Sequence, residues 1–189
     1  MTHGAGRRRP DVETVELVGG VERRAILLVD HDPAWAAGYA AHASRIRRAL
    51  AGTALRVEHI GSTAVPGLAA KPIVDVLVTV EDITAEEDHV EPLVRAGYEL
   101  RVREPGHRLV RTPERDVNVH VLEDDDPSAD DYLLLRDRLR ADAADRQLYE
   151  DTKRALAQRD WADVNAYSDA KGDVIEAIKD RARRAGSDA

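Results

Sequence analysis

Residues 59–68 read HIGSTAVPGL, and the apolar run IVDVLVTV that begins at Ile73 carries Asp75 in its interior. A Gly-Ser step at the end of a strand leaves backbone N–H groups able to converge on an anion, with a hydroxyl to assist them. Gly61 lets the backbone approach closely, while Ser62 and Thr63 supply donors. Pro66-Gly67 is a turn signal, and Lys71-Pro72 returns the chain to an extended state. A strand-borne carboxylate beside such a loop is the arrangement that holds a divalent ion against a bound polyphosphate. The same ten residues are also compatible with a tight connection and nothing more.

Two histidines widen the choice. If the strands carrying His59 and His120 flank that of Asp75, the three side chains could form a site suited to Zn²⁺, Mn²⁺ or Fe²⁺ rather than Mg²⁺. His120 is equally compatible with a general base or a phosphate donor. Towards the C-terminus, Tyr149 with Lys153 and Tyr167 with Lys171 are spaced i, i+4, so each pair shares one helical face. The chain has 28 basic residues but only four lysines, Lys71, Lys153, Lys171 and Lys179. Where arginine is the default cation, a lysine marks a place that wants a compact ammonium. Lys71, Lys153 and Lys171 are therefore candidate anion contacts, and Arg136 could add a bidentate one.

The elements that must position these groups follow from periodicity. Residues 1–13 read as a disordered segment, and 14–185 as one domain. Short strands are expected at 15–18 and 25–29. DHDPA at 30–34 opens a helix whose apolar face is Trp35, Tyr39, Ala43, Ile46 and Leu50. Strands follow at 55–60 and 73–80, then a helix to about Arg95 with Thr84 and Glu87 as its capping box and Gly97 as its stop. Three further strands fall at 98–102, 107–112 and 116–122, and the pattern is helical from about 128. This order predicts an α+β domain with a mixed sheet, helices packed on one face and a helical C-terminal part. Alternation places Asp75, Asn118 and His120 on the face away from those helices.

Composition bounds the function. At 189 residues and 43% hydrophobic, the chain can bury roughly two-thirds of the surface it would expose unfolded. It has no cysteine, which excludes disulfides and thiolate metal sites. A net charge of −8 argues against generic nucleic-acid binding, with RRR at 7–9 the one local exception. The apolar runs are too short to span a bilayer, and MTHGAGRRRP, with charge but no apolar stretch behind it, is not expected to act as a secretory signal. A cytoplasmic protein of undetermined oligomeric state is expected.

HIGSTAVPGLAAKPIVDV resembles the signature of the GrpB family, whose members look like a branch of the nucleotidyltransferase superfamily with a DNA polymerase β-type fold. The likeness continues through DHDPAW (30–35), NVHV (118–121), LRDRL (135–139), YEDTK (149–153) and YSDAK (167–171). It implies a nucleoside triphosphate on Gly61-Ser62 and Mg²⁺ or another divalent metal on Asp75, with an acceptor between the sheet and the C-terminal helices. The superfamily pattern has a second acid two residues after the first and a third on a neighbouring strand. Here Leu77, and then Asn118 and His120, stand in those places, which speaks against two metals about 4 Å apart but not against one. Members also resemble domains fused to dephospho-coenzyme A kinase. The alternatives are a non-catalytic module for a nucleotide, a coenzyme A-like ligand or another phosphorylated small molecule, and a His/Asp metal-dependent hydrolase.

Overall fold

Six strands form one mixed sheet in the order β1-β4-β5-β6-β3-β2 in the computed structural model, which describes residues 7–21, 25–161 and 163–187. The strands are β1 (Glu16–Leu17), β2 (Arg56–Ile60), β3 (Val74–Val80), β4 (Glu99–Glu104), β5 (His107–Arg111) and β6 (Val117–Glu123). Only β3 and β6 pair in parallel; every other pairing is antiparallel. The helices are α1 (Ala34–Leu50), α2 (Glu86–Arg95), α3 (Pro127–Ala141), α4 (Ala143–Ala157), α5 (Val164–Asp169) and α6 (Gly172–Ser187).

Valine alternation builds the first layer. Val74, Val76, Val78 and Val80 join Val117, Val119 and Val121 on one face, against Trp35, Ala43, Ile46 and Leu50 of α1 and Val90 and Leu93 of α2. Burial of a β-branched face against an amphipathic stripe is the main driving force of such a layer.

The other face is covered as well, which corrects the expectation of helices on one side. Ile60, Leu77 and Leu122 pack against Ala129 of α3, with Tyr132 and Leu133 at the margin. The leucines at 77 and 122 make an otherwise polar face apolar enough to seat a helix. Beyond it, Val65 and Leu68 of the loop after β2 meet Leu139 of α3, Tyr149 of α4 and Ile178 of α6. The loop is thereby pinned under three helices. Among the described residues no helix is long and apolar enough to cross a membrane.

Local departures have local causes. Residues 25–29 form only a single bridge, Val29 with Ala70. Thr84 does not cap α2: its hydroxyl donates to Asp82 Oδ1 at 2.6 Å, and Ala85 occupies the cap without a side-chain bond. Where disorder is expected over 1–13, residues 7–12 lie against the fold, and residues 1–6 fall outside the described residues. Arg108, 2% exposed, binds Asp11 Oδ1 at 2.5 Å and Glu86 Oε1 at 2.7 Å. Arg7, Arg8 and Arg9 are turned onto Glu123, Asp88 and Glu87.

Candidate functional site

The chain leaves β2 at Ile60 through Gly61, whose φ of 70° and ψ of −173° lie in a region that only glycine enters readily. A Cβ there would meet Asp75 Oδ2 at 2.6 Å. Residues 62–64 then make one 3₁₀ turn. Glycine is thus needed twice over, for the bend and for the contact with the carboxylate. Asp75 pairs across β3 with Ile60 on one side and Asn118 on the other. Asn118 Nδ2 donates to Asp75 Oδ1 at 3.0 Å, and His120 Nε2 lies 3.6 Å from the same oxygen. Burial pushes the Asp75 carboxyl upward, but His120, Asn118 and the charge of Lys71 outweigh it and hold it below the usual carboxylate range.

Three of the four lysines gather beside this loop. Lys153 of α4 is 2% exposed, and its Nζ donates to Ser62 Oγ at 3.1 Å and to the Ala69 carbonyl. It also lies 4.7 Å from the Tyr149 ring centroid. Lys171 and Lys71 approach the Tyr167 ring at 4.9 and 5.5 Å. Cations are attracted to aromatic faces within about 6 Å, so each i, i+4 spacing delivers a tyrosine platform with its lysine. Burial lowers Lys153 to about 7, helped by Lys171 and Lys71, and lowers Lys171 to about 8, helped by Lys71. Among the described residues the Tyr167 hydroxyl is buried with no hydrogen-bond partner. Crowded, desolvated ammonium groups beside an unsatisfied hydroxyl form a cradle suited to an anion.

Other expected residues are used elsewhere. The register pairs His59 with Val76, which puts it on the α1 face, away from Asp75 and His120. Its ring stacks on Tyr39 at 4.6 Å and its Nε2 is 3.1 Å from Thr63 Oγ1. Burial, with the charge of Arg140, lowers it to about 4. The His59-Asp75-His120 grouping is therefore not assembled, and the Thr63 hydroxyl is engaged by His59. Among the described residues no three His, Asp or Glu groups are placed to hold a metal. Arg136 ties α3 to β2 through Glu58 Oε2 at 2.8 Å and the His59 carbonyl at 3.1 Å, and it also grips Asp137. Leu77 shares the face of Asp75 but is fully buried.

Two residues that sequence reasoning missed stand next to His120. His107 Nε2 is 3.2 Å from His120 Nδ1, with the rings stacked at 5.3 Å. Its Nδ1 is 2.5 Å from Glu104 Oε1. Alternation in HRLVR could have put His107 on a face with Leu109, but only the pairing of β5 with β6 brings it to His120.

The family model described as GrpB protein matches residues 25–181. The chain belongs to the GrpB family. A UPF0157 protein of Streptomyces coelicolor is 63% identical over 182 residues, covering 96% of this chain and 97% of the relative. A dephospho-CoA kinase of Mycolicibacterium paratuberculosis is 34% identical over 176 residues, 78% of this chain but only 43% of that protein. The crystal structure of the conserved protein GrpB from Enterococcus faecalis superposes with a TM-score of 0.73 at 33% identity, covering 82% of this chain and 96% of that one. The GrpB match spans Gly61, Asp75, His120 and the three site lysines.

Proposed function

We propose that this GrpB-family protein binds a nucleotide or a related phosphorylated small molecule, its phosphates lying between Ser62 and the Lys71-Lys153-Lys171 cluster. The observation that carries this reading is the buried Lys153 ammonium, whose hydrogen bonds go to the neutral acceptors Ser62 Oγ and the Ala69 carbonyl. A buried cation of this kind gains most from an anion that can replace lost hydration. Kinship with the dephospho-CoA kinases supports a nucleotide or coenzyme A-like ligand. Calorimetric titration with the four nucleoside triphosphates and coenzyme A tests it: saturable binding is expected for at least one, and none at millimolar concentration would contradict it.

A second reading adds nucleotidyl transfer, favoured by the contact of Asp75 with Gly61. Asp75 would hold one divalent ion, which when bound neutralises phosphate charge. Such an ion must complete its shell with phosphate oxygens and water, as Mg²⁺ commonly does. Ser62 and the lysines would hold the triphosphate in place. The buried Leu77 removes the second strand acid, so this reading is restricted to one metal. Release of pyrophosphate from a triphosphate in the presence of Mg²⁺ separates transfer from binding alone.

A further inference from the structure

Glu104, His107, His120 and Asp75 form a continuous line across four strands. The register pairs Glu104 with His107, Leu109 with His120, and Leu77 with His120. Because side chains alternate along a strand, all four groups project from the face that α3 covers. Their successive separations are 2.5, 3.2 and 3.6 Å. Tyr132 of α3 closes the other side of His120, with ring centroids 5.6 Å apart.

Hydrogen-bond bookkeeping fixes the direction of this line. The Glu104 carboxyl is held below its ordinary range by its bond to His107, so it is ionised and can only accept. His107 Nδ1 must then carry a proton. Burial pushes His107 down, against the pull of Glu104, and a neutral imidazole has one N–H. Its Nε2 is therefore an acceptor, and the proton between the two rings belongs to His120 Nδ1. Nε2 of His120 faces the Asp75 carboxylate, which is likewise held below its ordinary range and can only accept, so this nitrogen carries a proton too and the ring donates from both sides.

We propose that Glu104 and His107 are positioning residues for the candidate site: they fix the proton on His120 Nδ1 and aim His120 Nε2 at the space beside Asp75. A ring held this way presents one defined N–H, that of Nε2, to a ligand oxygen, as when a carboxylate orients a histidine from behind. The assignment of that N–H to a phosphate oxygen rests on the binding reading above; the proton on Nδ1 does not.

The full chain, labelled with ¹⁵N at histidine, tests the Nδ1 proton without any ligand. Long-range ¹H–¹⁵N correlation spectra should show His120 Nδ1 protonated. His107→Phe removes the acceptor of Nδ1–H and should raise the ratio of the form protonated at Nε2 alone to that protonated at Nδ1 at least twofold. His107→Gln, whose side-chain oxygen can accept from Nδ1–H, should restore the native pattern. Glu104→Ala, at a partly exposed site, serves if His107→Phe does not fold, and should redistribute the proton on His107. A native spectrum with a bare His120 Nδ1, or a ratio unmoved by His107→Phe or, in its place, Glu104→Ala, overturns the assignment. Failure to bind any nucleotide would leave that spectrum unchanged, so the two readings fail separately.

Discussion

Lys153 Nζ reaches 3.1 Å from Ser62 Oγ across 91 residues of sequence, and with that bond α4 closes over the loop that follows β2. The ammonium is buried to make it. An unliganded protein therefore carries an electrostatic penalty at its candidate site, which a bound anion would relieve.

That penalty should be visible in the pH dependence of stability. Lys153 and Lys171 titrate near 7 and 8 when folded, against an ordinary value of 10.5. Between those values the unfolded chain holds more protons than the folded one, so these groups make stability rise with pH. Unfolding free energy without ligand is expected to climb between about pH 7 and 10, after allowance for other groups, and Lys153→Met should flatten the climb. Denaturant melts of both proteins across that range are the check; parallel curves would remove the buried cation from the account.

Gly61→Ala forces a side chain into a backbone region costing roughly 1–3 kcal/mol for residues other than glycine, and its Cβ would collide with Asp75 Oδ2. Stability should fall by at least that backbone term, because the clash adds to it. Urea melts report it. A neutral substitution would mean that loop and carboxylate separate freely.

Leu77→Asp puts a second acid on the strand two residues after Asp75, but Leu77 is fully buried among Ile60, Leu122 and Ala129. An unpaired carboxylate there should cost several kcal/mol. Chemical denaturation is expected to show that loss at pH 7 and a partial recovery towards pH 4, as the new acid is protonated. Full stability together with a gain in metal binding would instead mean that α3 can lift from the sheet.

Much of this arrangement is legible in the sequence, and the remainder is tertiary. Period-2 alternation alone puts Asp75 with Leu77 and Asn118 with His120 on shared faces, and i, i+4 spacing gives each tyrosine its lysine. His59 escapes that logic because β2 pairs with β3 in a register that the sequence does not specify, and one residue of slip exchanges faces. His107 and Glu104 are hidden for the same reason, behind a hairpin with a bulge between Leu100 and Val102. The convergence of Lys71, Lys153 and Lys171 on Tyr149 and Tyr167 depends on how the C-terminal helices close over the loop, which no local pattern encodes. Arg136 shows the converse: a cation well suited to phosphate is already committed to Glu58 and Asp137.

Asp75→Asn keeps the shape of the side chain while removing its charge. If a divalent ion joins the ligand at this site, the Mg²⁺-dependent part of nucleotide affinity should disappear and the metal-independent part should hold or improve, since a carboxylate repels phosphate. Calorimetric titrations with and without Mg²⁺ separate the two. Equal Mg²⁺ dependence in variant and wild type would place the ion elsewhere.

The most direct measurement is the melting temperature of wild type and Lys153→Met with each nucleoside triphosphate and coenzyme A. A ligand at a hundredfold over its dissociation constant adds about 2.7 kcal/mol, or roughly 5–10 °C for a domain of this size. The account predicts such a rise for at least one ligand in the wild type and its loss in Lys153→Met, with the unliganded variant no less stable by more than about 1 kcal/mol. No rise in the wild type, or an equal rise in both proteins, would contradict it.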